Sequence, residues 1–197
     1  MNRKSQMKKL ACLAMLLAAA ALQPALAADW KIDPSGSRLE YTITFEKTPA
    51  PGVFKEFDTK LHFDAAKPAG SRLDVTINIA SADMSSSDIN REIAGSDWFD
   101  YALHPQAEFH STDIVRSPAS PHSYIARGTL NLKGVQQPVD VLFTWNPAAD
   151  GAIMEGGFTV KRTPFNIGAG EWAVTEGKGA IGADVAVKFR VQLRKAG

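Results

Sequence analysis

The stretch ADVAVKFRVQLRK, residues 183–195, sets Val185, Val187, Phe189, Val191 and Leu193 against Asp184, Lys188, Arg190, Gln192 and Arg194. An apolar period of two marks a β-strand with one buried and one wet face. RLEYTITFEK (38–47) keeps the same beat with Leu39, Tyr41, Ile43 and Phe45. So do FKEFDTKLHFD (54–64), through Phe57, Thr59, Leu61 and Phe63, and RLDVTINIA (72–80), through Leu73, Val75, Ile77 and Ile79. QAEFHSTDI (106–114), SYIARGTLNLK (123–133), QPVDVLFTWN (137–146) and AIMEGGFTVKR (152–162) complete a set of about eight strands. Turn signals separate them at Pro68-Ala69-Gly70, at residues 118–121 between two prolines, at Lys133-Gly134 and at Asp150-Gly151.

Strands with one wet and one apolar face must bury a continuous inner surface, as a sandwich or a closed barrel. An eight-stranded barrel has an interior that side chains just fill, or one that holds a small ligand. Inner faces dense in Phe, Leu, Ile and Val suit both. Two segments break the alternation. Residues 85–103, SSSDINREIAGSDWFDYAL, open with Ser and Asp suited to an N-cap and place Ile89 and Ile93 four apart before Gly95. That pattern predicts one short helix, then an aromatic corner at Trp98 and Phe99. Residues 162–182 are glycine-rich and carry Phe165 and Trp172, the composition of a loop that lies over an opening.

At the N-terminus, Arg3, Lys4, Lys8 and Lys9 precede an apolar run, Leu10 to Leu22, and Ala25-Leu26-Ala27 is a small-x-small cleavage signal. The expected organisation is a secretory signal peptide at 1–27 and one barrel domain at 28–197, since the run is too short to span a bilayer. Cys12 does not read as a lipoprotein cysteine, because the apolar run follows it. Beyond residue 27 there is no cysteine, so neither a disulfide framework nor a thiolate mechanism is available. A Sec-type signal without disulfides suits a Gram-negative periplasm. Losing the four signal-peptide cations leaves 18 basic against 21 acidic residues, a net charge of −3. With no basic run, nucleic-acid binding has no electrostatic support.

The segment SDWFDYALHPQAEFHST, residues 96–112, gathers acids, histidines and aromatics. His62 and His110 fall on outward strand faces, while His104 and His122 adjoin prolines in turns. None shows the ligand spacing of a metal site, so no metal and no cofactor is expected. Asp97, Asp100 and Glu108 are explained as polar strand ends and caps more economically than as an acid–base pair. No serine occupies a nucleophile elbow. No catalytic residue emerges.

The blocks WKIDPSGSRLEYTITFEK, GVFKEFDTKLHFD, DWFDYALHPQAEFHST, GTLNLKGVQQPVDVLF and RTPFNIG, in this order from Trp30 onward, resemble the YceI-like family. The departures are an enlarged Pro49-Ala50-Pro51 connection and the Glu171-Trp172 loop. The resemblance implies a lipocalin-like, eight-stranded antiparallel β-barrel with an extended apolar channel. It implies a non-enzymatic periplasmic carrier of a long-chain amphiphile, most simply an isoprenoid quinone or prenyl phosphate, with no catalytic residues.

On the strands, the expected lipid-binding wall comprises Tyr41, Ile43, Phe45, Phe57, Leu61, Phe63 and Ile77, continued by Phe109, Phe143, Trp145, Phe158 and Phe189. The irregular segments add Trp98, Phe99, Phe165 and Trp172. Bordering them, Asn90, Arg91 and Arg162 are head-group candidates, against a simple solvated role. Expected partners are the lipid itself, a transient contact with the inner membrane or a membrane cytochrome, and a second copy in a homodimer. Two other classes stay open: a filled barrel serving as an interaction or redox-accessory subunit beside a membrane cytochrome, and a hydrolase built on the acid cluster.

Overall fold

A computed structural model describes residues 27–173 and 180–196. The expected signal peptide, apart from Ala27, lies outside the described residues, as does 174–179 of the glycine-rich loop. Among these residues ten strands and one α-helix, besides three single 3-10 turns, follow in order: β1 (Ala28–Phe45), β2 (Thr48–Phe54), β3 (Phe57–Phe63), β4 (Arg72–Asn78), β5 (Ala82–Asp83), α1 (Ser87–Ile93), β6 (Gln106–Arg116), β7 (Ser123–Leu132), β8 (Val135–Ala148), β9 (Gly151–Lys161) and β10 (Asp184–Lys195). Eight of the strands close a ring in the order β1-β3-β4-β6-β7-β8-β9-β10, with β10 pairing back onto β1. Every pairing is antiparallel. The choice between sandwich and barrel is thereby made: closure leaves the ring no free edge.

β2 was expected to be a connection. It pairs instead with β1 from Phe45↔Thr48 to Leu39↔Phe54. Pro49 and Pro51 are tolerated because β2 is flanked on its other side only by the two-residue β5, and proline within a sheet belongs on such edge strands. The turn between β1 and β2 is two residues long, and both Glu46 and Lys47 have positive φ, 46° and 70°. That is the primed turn that matches strand twist, built without its usual Asn-Gly.

β1 begins ten residues before Arg38 and carries an irregularity between Asp33 and Arg38. Asp33 organises it. Its Oδ1 accepts from the Ser35 hydroxyl at 2.7 Å and the Ser35 amide at 3.2 Å, and its Oδ2 from Arg194. The Ser37 hydroxyl donates to the Asp33 carbonyl at 2.6 Å and accepts from the Gln192 amide at 3.0 Å. The extra residues of this bulge push β1 out of register with its neighbour: β1 pairs with β3 only over Ala28–Lys31, then with β2 from Leu39.

The barrel's two ends differ. At one, Trp30, Phe63, Tyr124, Phe143 and Trp145 pack edge-on or stacked at centroid separations of 4.9 to 5.8 Å. This plug closes the interior. The other end is covered by residues 79–105, which include α1, and by the segment after β9. Ser86 caps α1 by accepting from the Ile89 amide, and Ile93 is buried while Ile89 stays 44% exposed. Both isoleucines lie on the expected short helix, but only its last turn reaches the core. Among the described residues no helix is long and apolar enough to cross a membrane.

Candidate functional site

Between plug and lid lies a channel with a cavity volume of about 150 Å³. Its wall is apolar and is built from the inward positions of all eight ring strands, from Phe54 on β2 and from the lid. Three aromatic rings reach over glycines of adjacent strands: Tyr41 over Gly52, Phe109 over Gly128 and Phe189 over Gly156. A Cβ at Gly156 would stand 2.8 Å from Phe189 Cζ, and one at Gly128 2.7 Å from Phe109 Cζ. Glycine at these wall positions is therefore a space requirement. An apolar cavity of about 150 Å³ admits a guest of benzene size, so a longer chain is accommodated only if the lining side chains part. The channel is narrower than the resemblance implied, because large aromatic and branched side chains project into it.

Ten of the sixteen expected wall residues line this channel: Tyr41, Ile43, Phe57, Ile77, Trp98, Phe99, Phe109, Phe158, Phe165 and Phe189. The other six lie elsewhere. Phe63, Phe143 and Trp145 form the plug, with Leu61 buried beside them in the same core. Phe45 ends β1 and is 43% exposed. Trp172 packs behind Trp98, ring centroids 6.0 Å apart, and its indole N–H donates to Glu92 at 3.1 Å. Strand alternation predicts which residues point inward but not their height along the barrel axis, and height separates plug from channel.

Phe54, Met84, Ile93 and Ile167 line the channel without having been expected. Phe54 is out of phase with Phe57, Thr59 and Leu61, so reading 54–64 as one strand turns it outward. The break between β2 and β3 at Lys55 and Glu56 resets the phase.

None of the three head-group candidates presents a free polar group to the channel. Asn90 accepts from the Met84 amide at 2.8 Å and donates to Asp83 at 2.9 Å. Arg91 is exposed and paired with Asp88 at 3.2 Å. Arg162 does line the channel and is 2% exposed. Its five N–H donors all go to main-chain carbonyls, those of Gly182, Ile167, Gly168, Trp172 and Ile181, at 2.7 to 3.0 Å. Burial lowers its pKa, yet a guanidinium stays cationic in a protein. It is a clamp for the lid loop, with no donor left for a phosphate.

Further bonds hold the two lid segments together. The Asp97 carbonyl accepts from the amides of Gly168 and Ala169 at 2.7 and 2.9 Å. Lys133, in the β7–β8 turn, donates to the carbonyls of Ser96 and Asn166 at 2.6 and 2.7 Å. Burial lowers the pKa of Lys133, and the nearby carboxylates of Asp100 and Asp97 oppose that shift. Residues 79–105 carry five acids and one arginine, so this cover is negative. Inside the barrel, Tyr41 has an unpartnered hydroxyl, and Thr59 and Trp98 likewise keep unpartnered polar atoms. Burial is the main cause that raises the Tyr41 phenol above its ordinary value.

His62 pairs with Asp29 at 2.7 Å and His110 with Asp74 at 2.8 Å, both half-exposed on the outer face. Among the described residues no three His, Cys, Asp or Glu side chains converge as a metal site would require.

A closed antiparallel barrel around one apolar channel, plugged at one end and lidded at the other, defines a lipocalin-like protein. The chain belongs to the YceI-like family: the model of the YceI-like domain matches residues 30–193. It is 33% identical to a UPF0312 protein of Pseudomonas savastanoi over 168 residues, 81% of each chain. It is also 33% identical to the UPF0312 protein of Azotobacter vinelandii, over 67% of this chain and 69% of that one. Among solved structures, Burkholderia cenocepacia BcnA superposes with a TM-score of 0.75 at 32% identity, covering 82% of this chain and 98% of that one. A polyisoprenoid binding domain from Saccharophagus degradans, implicated in plant cell wall breakdown, superposes with a TM-score of 0.66 over 86% of this chain and 99% of that one. At 13% identity that likeness concerns the fold.

Proposed function

We propose that the protein is a non-enzymatic periplasmic carrier of long-chain amphiphilic lipids, most simply polyisoprenoids. The observation that carries this reading is the channel itself, an apolar interior on whose wall, among the described residues, the one charged side chain, Arg162, is spent on main-chain carbonyls. The polyisoprenoid-binding neighbour with the same fold supports the choice of ligand class. Each buried methylene gains about 0.8 kcal/mol over water. The bilayer offers the same gain, so exchange between membrane and barrel is close to neutral, which suits a carrier that must release its cargo.

Native mass spectrometry of gently purified protein, followed by solvent extraction, tests this. The expected result is a co-purified or added prenyl lipid bound one to one. Bare polypeptide that also refuses added prenyl lipid would overturn the carrier reading. A fatty acid as the sole bound species would keep the channel and remove the isoprenoid.

A further inference from the structure

Both ends of the barrel are obstructed among the described residues, one by the aromatic plug and the other by the bonded lid. The wall is not continuous. Where the Asp33 bulge carries β1 away from its neighbour, the ladder lapses between the pair Lys31↔Lys60 and the pair Leu39↔Phe54. An open notch of about 600 Å³ occupies this place, bordered by Ile32, Ser37, Phe54, Phe57, Asn78 and Gln106. Phe54 and Phe57 belong to both spaces: they border the notch outside and line the channel inside. Both are partly buried. Phe54 and Phe57 are thus the two residues that the outer notch and the apolar interior share. The seam between β8 and β9 also lapses beyond Leu142↔Gly157, but there the Thr163–Phe165 turn packs against β8 and Phe165 is fully buried.

We propose that this notch is the cargo's lateral portal and the seat of its head group, and that the head group it takes is uncharged and hydrogen-bonding. The proposal rests on the lipid-carrier reading and adds where the ligand enters and what its polar end is. The tail passes between Phe54 and Phe57 into the channel, while the head remains among the polar groups of the notch. Each cation around it faces a carboxylate. Arg38 pairs with Glu40 at 2.5 Å and Lys55 with Asp83 at 2.6 Å. The Glu56 carboxylate accepts from the Asn78 side-chain amide at 2.7 Å, and Asp58 from the Thr59 main-chain amide at 2.8 Å. A phosphate arriving here meets Glu56 and Asp58, and the cations Arg38 and Lys55 each already face a carboxylate, so the notch and its immediate partners are net negative and repel an anion. A carbonyl or hydroxyl head meets the side-chain amide of Gln106 and the hydroxyl of Thr76, both on the notch wall. Arg162 and Lys133, the cations of the lid end, are spent on main-chain carbonyls and offer the anion no alternative seat.

The sequence has one cysteine, Cys12, so single-cysteine variants in a Cys12→Ser background can be labelled cleanly. Gln106→Cys places a bulky maleimide at the notch, with Asp58→Cys as a second notch position. Leu103→Cys places it on the lid, where Leu103 is 74% exposed. Stopped-flow uptake of the neutral fluorophore N-phenyl-1-naphthylamine is then followed. The label at either notch position is expected to slow uptake about tenfold or more, as blocking a gate does, and the lid label to leave it unchanged. Farnesol is expected to displace the fluorophore at a concentration about tenfold below that needed with farnesyl phosphate, the penalty of an unpaired anion. Slowing by the lid label alone would overturn the portal. Equal or better displacement by farnesyl phosphate would overturn the uncharged head group. If unlabelled protein takes up neither fluorophore nor farnesol, the carrier reading itself fails and the portal with it.

Discussion

The guanidinium of Arg162 lies 5.9 Å from the ring centroid of Trp98, with its donors spread over carbonyls from residues 167–168, 172 and 181–182. One side chain thus joins the lid loop to the start of β10 and roofs the channel. Arg162→Met is expected to lower stability by about 3–5 kcal/mol, since each buried carbonyl left unpaired costs about 1–3 kcal/mol and water recovers part. Urea denaturation measures it. A loss below about 1 kcal/mol would show that the loop closes without the clamp.

Gly156→Ala tests the glycine–ring contact in the wall. The new methyl meets the Phe189 ring and the Leu142 carbonyl. Overpacking of this kind costs about 1–3 kcal/mol, and the upper end is expected because backbone cannot yield as a side chain does. Thermal melts that match those of the parent protein would contradict it.

Tyr41→Phe is expected to preserve stability or raise it by up to about 1–3 kcal/mol, because it removes a buried hydroxyl that has no partner. The same variant has an alkaline signature. A phenol whose folded-state pKa is raised by burial supports the fold below its unfolded value, near 10, and loses that contribution as pH climbs past it. The variant should therefore lose less stability than the parent in that range, and a clear loss at neutral pH would mean that the hydroxyl has a partner in solution.

The β1–β2 turn predicts a gain. Replacing Glu46-Lys47 by Asn-Gly puts residues that tolerate positive φ where both positions require it. Relief of left-handed strain, offset by the entropy of glycine, should add about 0.5–1 kcal/mol. Unchanged or lowered denaturation midpoints would argue that the Lys47 side chain contributes something the backbone does not reveal.

Acid should weaken the seam between the lid and β2. Lys55 bonds the Asp83 carboxylate, Asn90 and the Ser85 amide add to it, and together they hold its pKa well below the usual range. Such a depressed group contributes fully above the unfolded carboxylate value, near 4, and that contribution fades as pH falls toward the folded-state value. Asp83→Asn is expected to flatten the acid limb of the stability curve, and superimposable limbs would count against this assignment.

The eight ring strands and their apolar faces were legible because alternation is a local property, visible in each strand by itself, whereas their closure into a ring rested on the family resemblance. Lys133-Gly134 announced the β7–β8 turn, since glycine signals the positive φ that residue 134 adopts. Glu46-Lys47 makes the same kind of turn from residues that signal nothing, and this hid β2. The corner at Trp98 and Phe99 was legible because the helical pattern of Ile89 and Ile93 stops at Gly95 just before it.

What the tertiary structure decided was position along the barrel axis and the fate of polar groups. Phe63 and Phe57 are equivalent by alternation, yet one plugs the barrel and the other lines the channel, because register alone sets their height. Arg162 reads as a loop cation available to a head group. Its donors are consumed by carbonyls from three separate stretches of chain, and no local pattern encodes their convergence. The sequence by itself determined which faces avoid water, since burial follows residue type. Closure of the barrel determined which of those faces still have room.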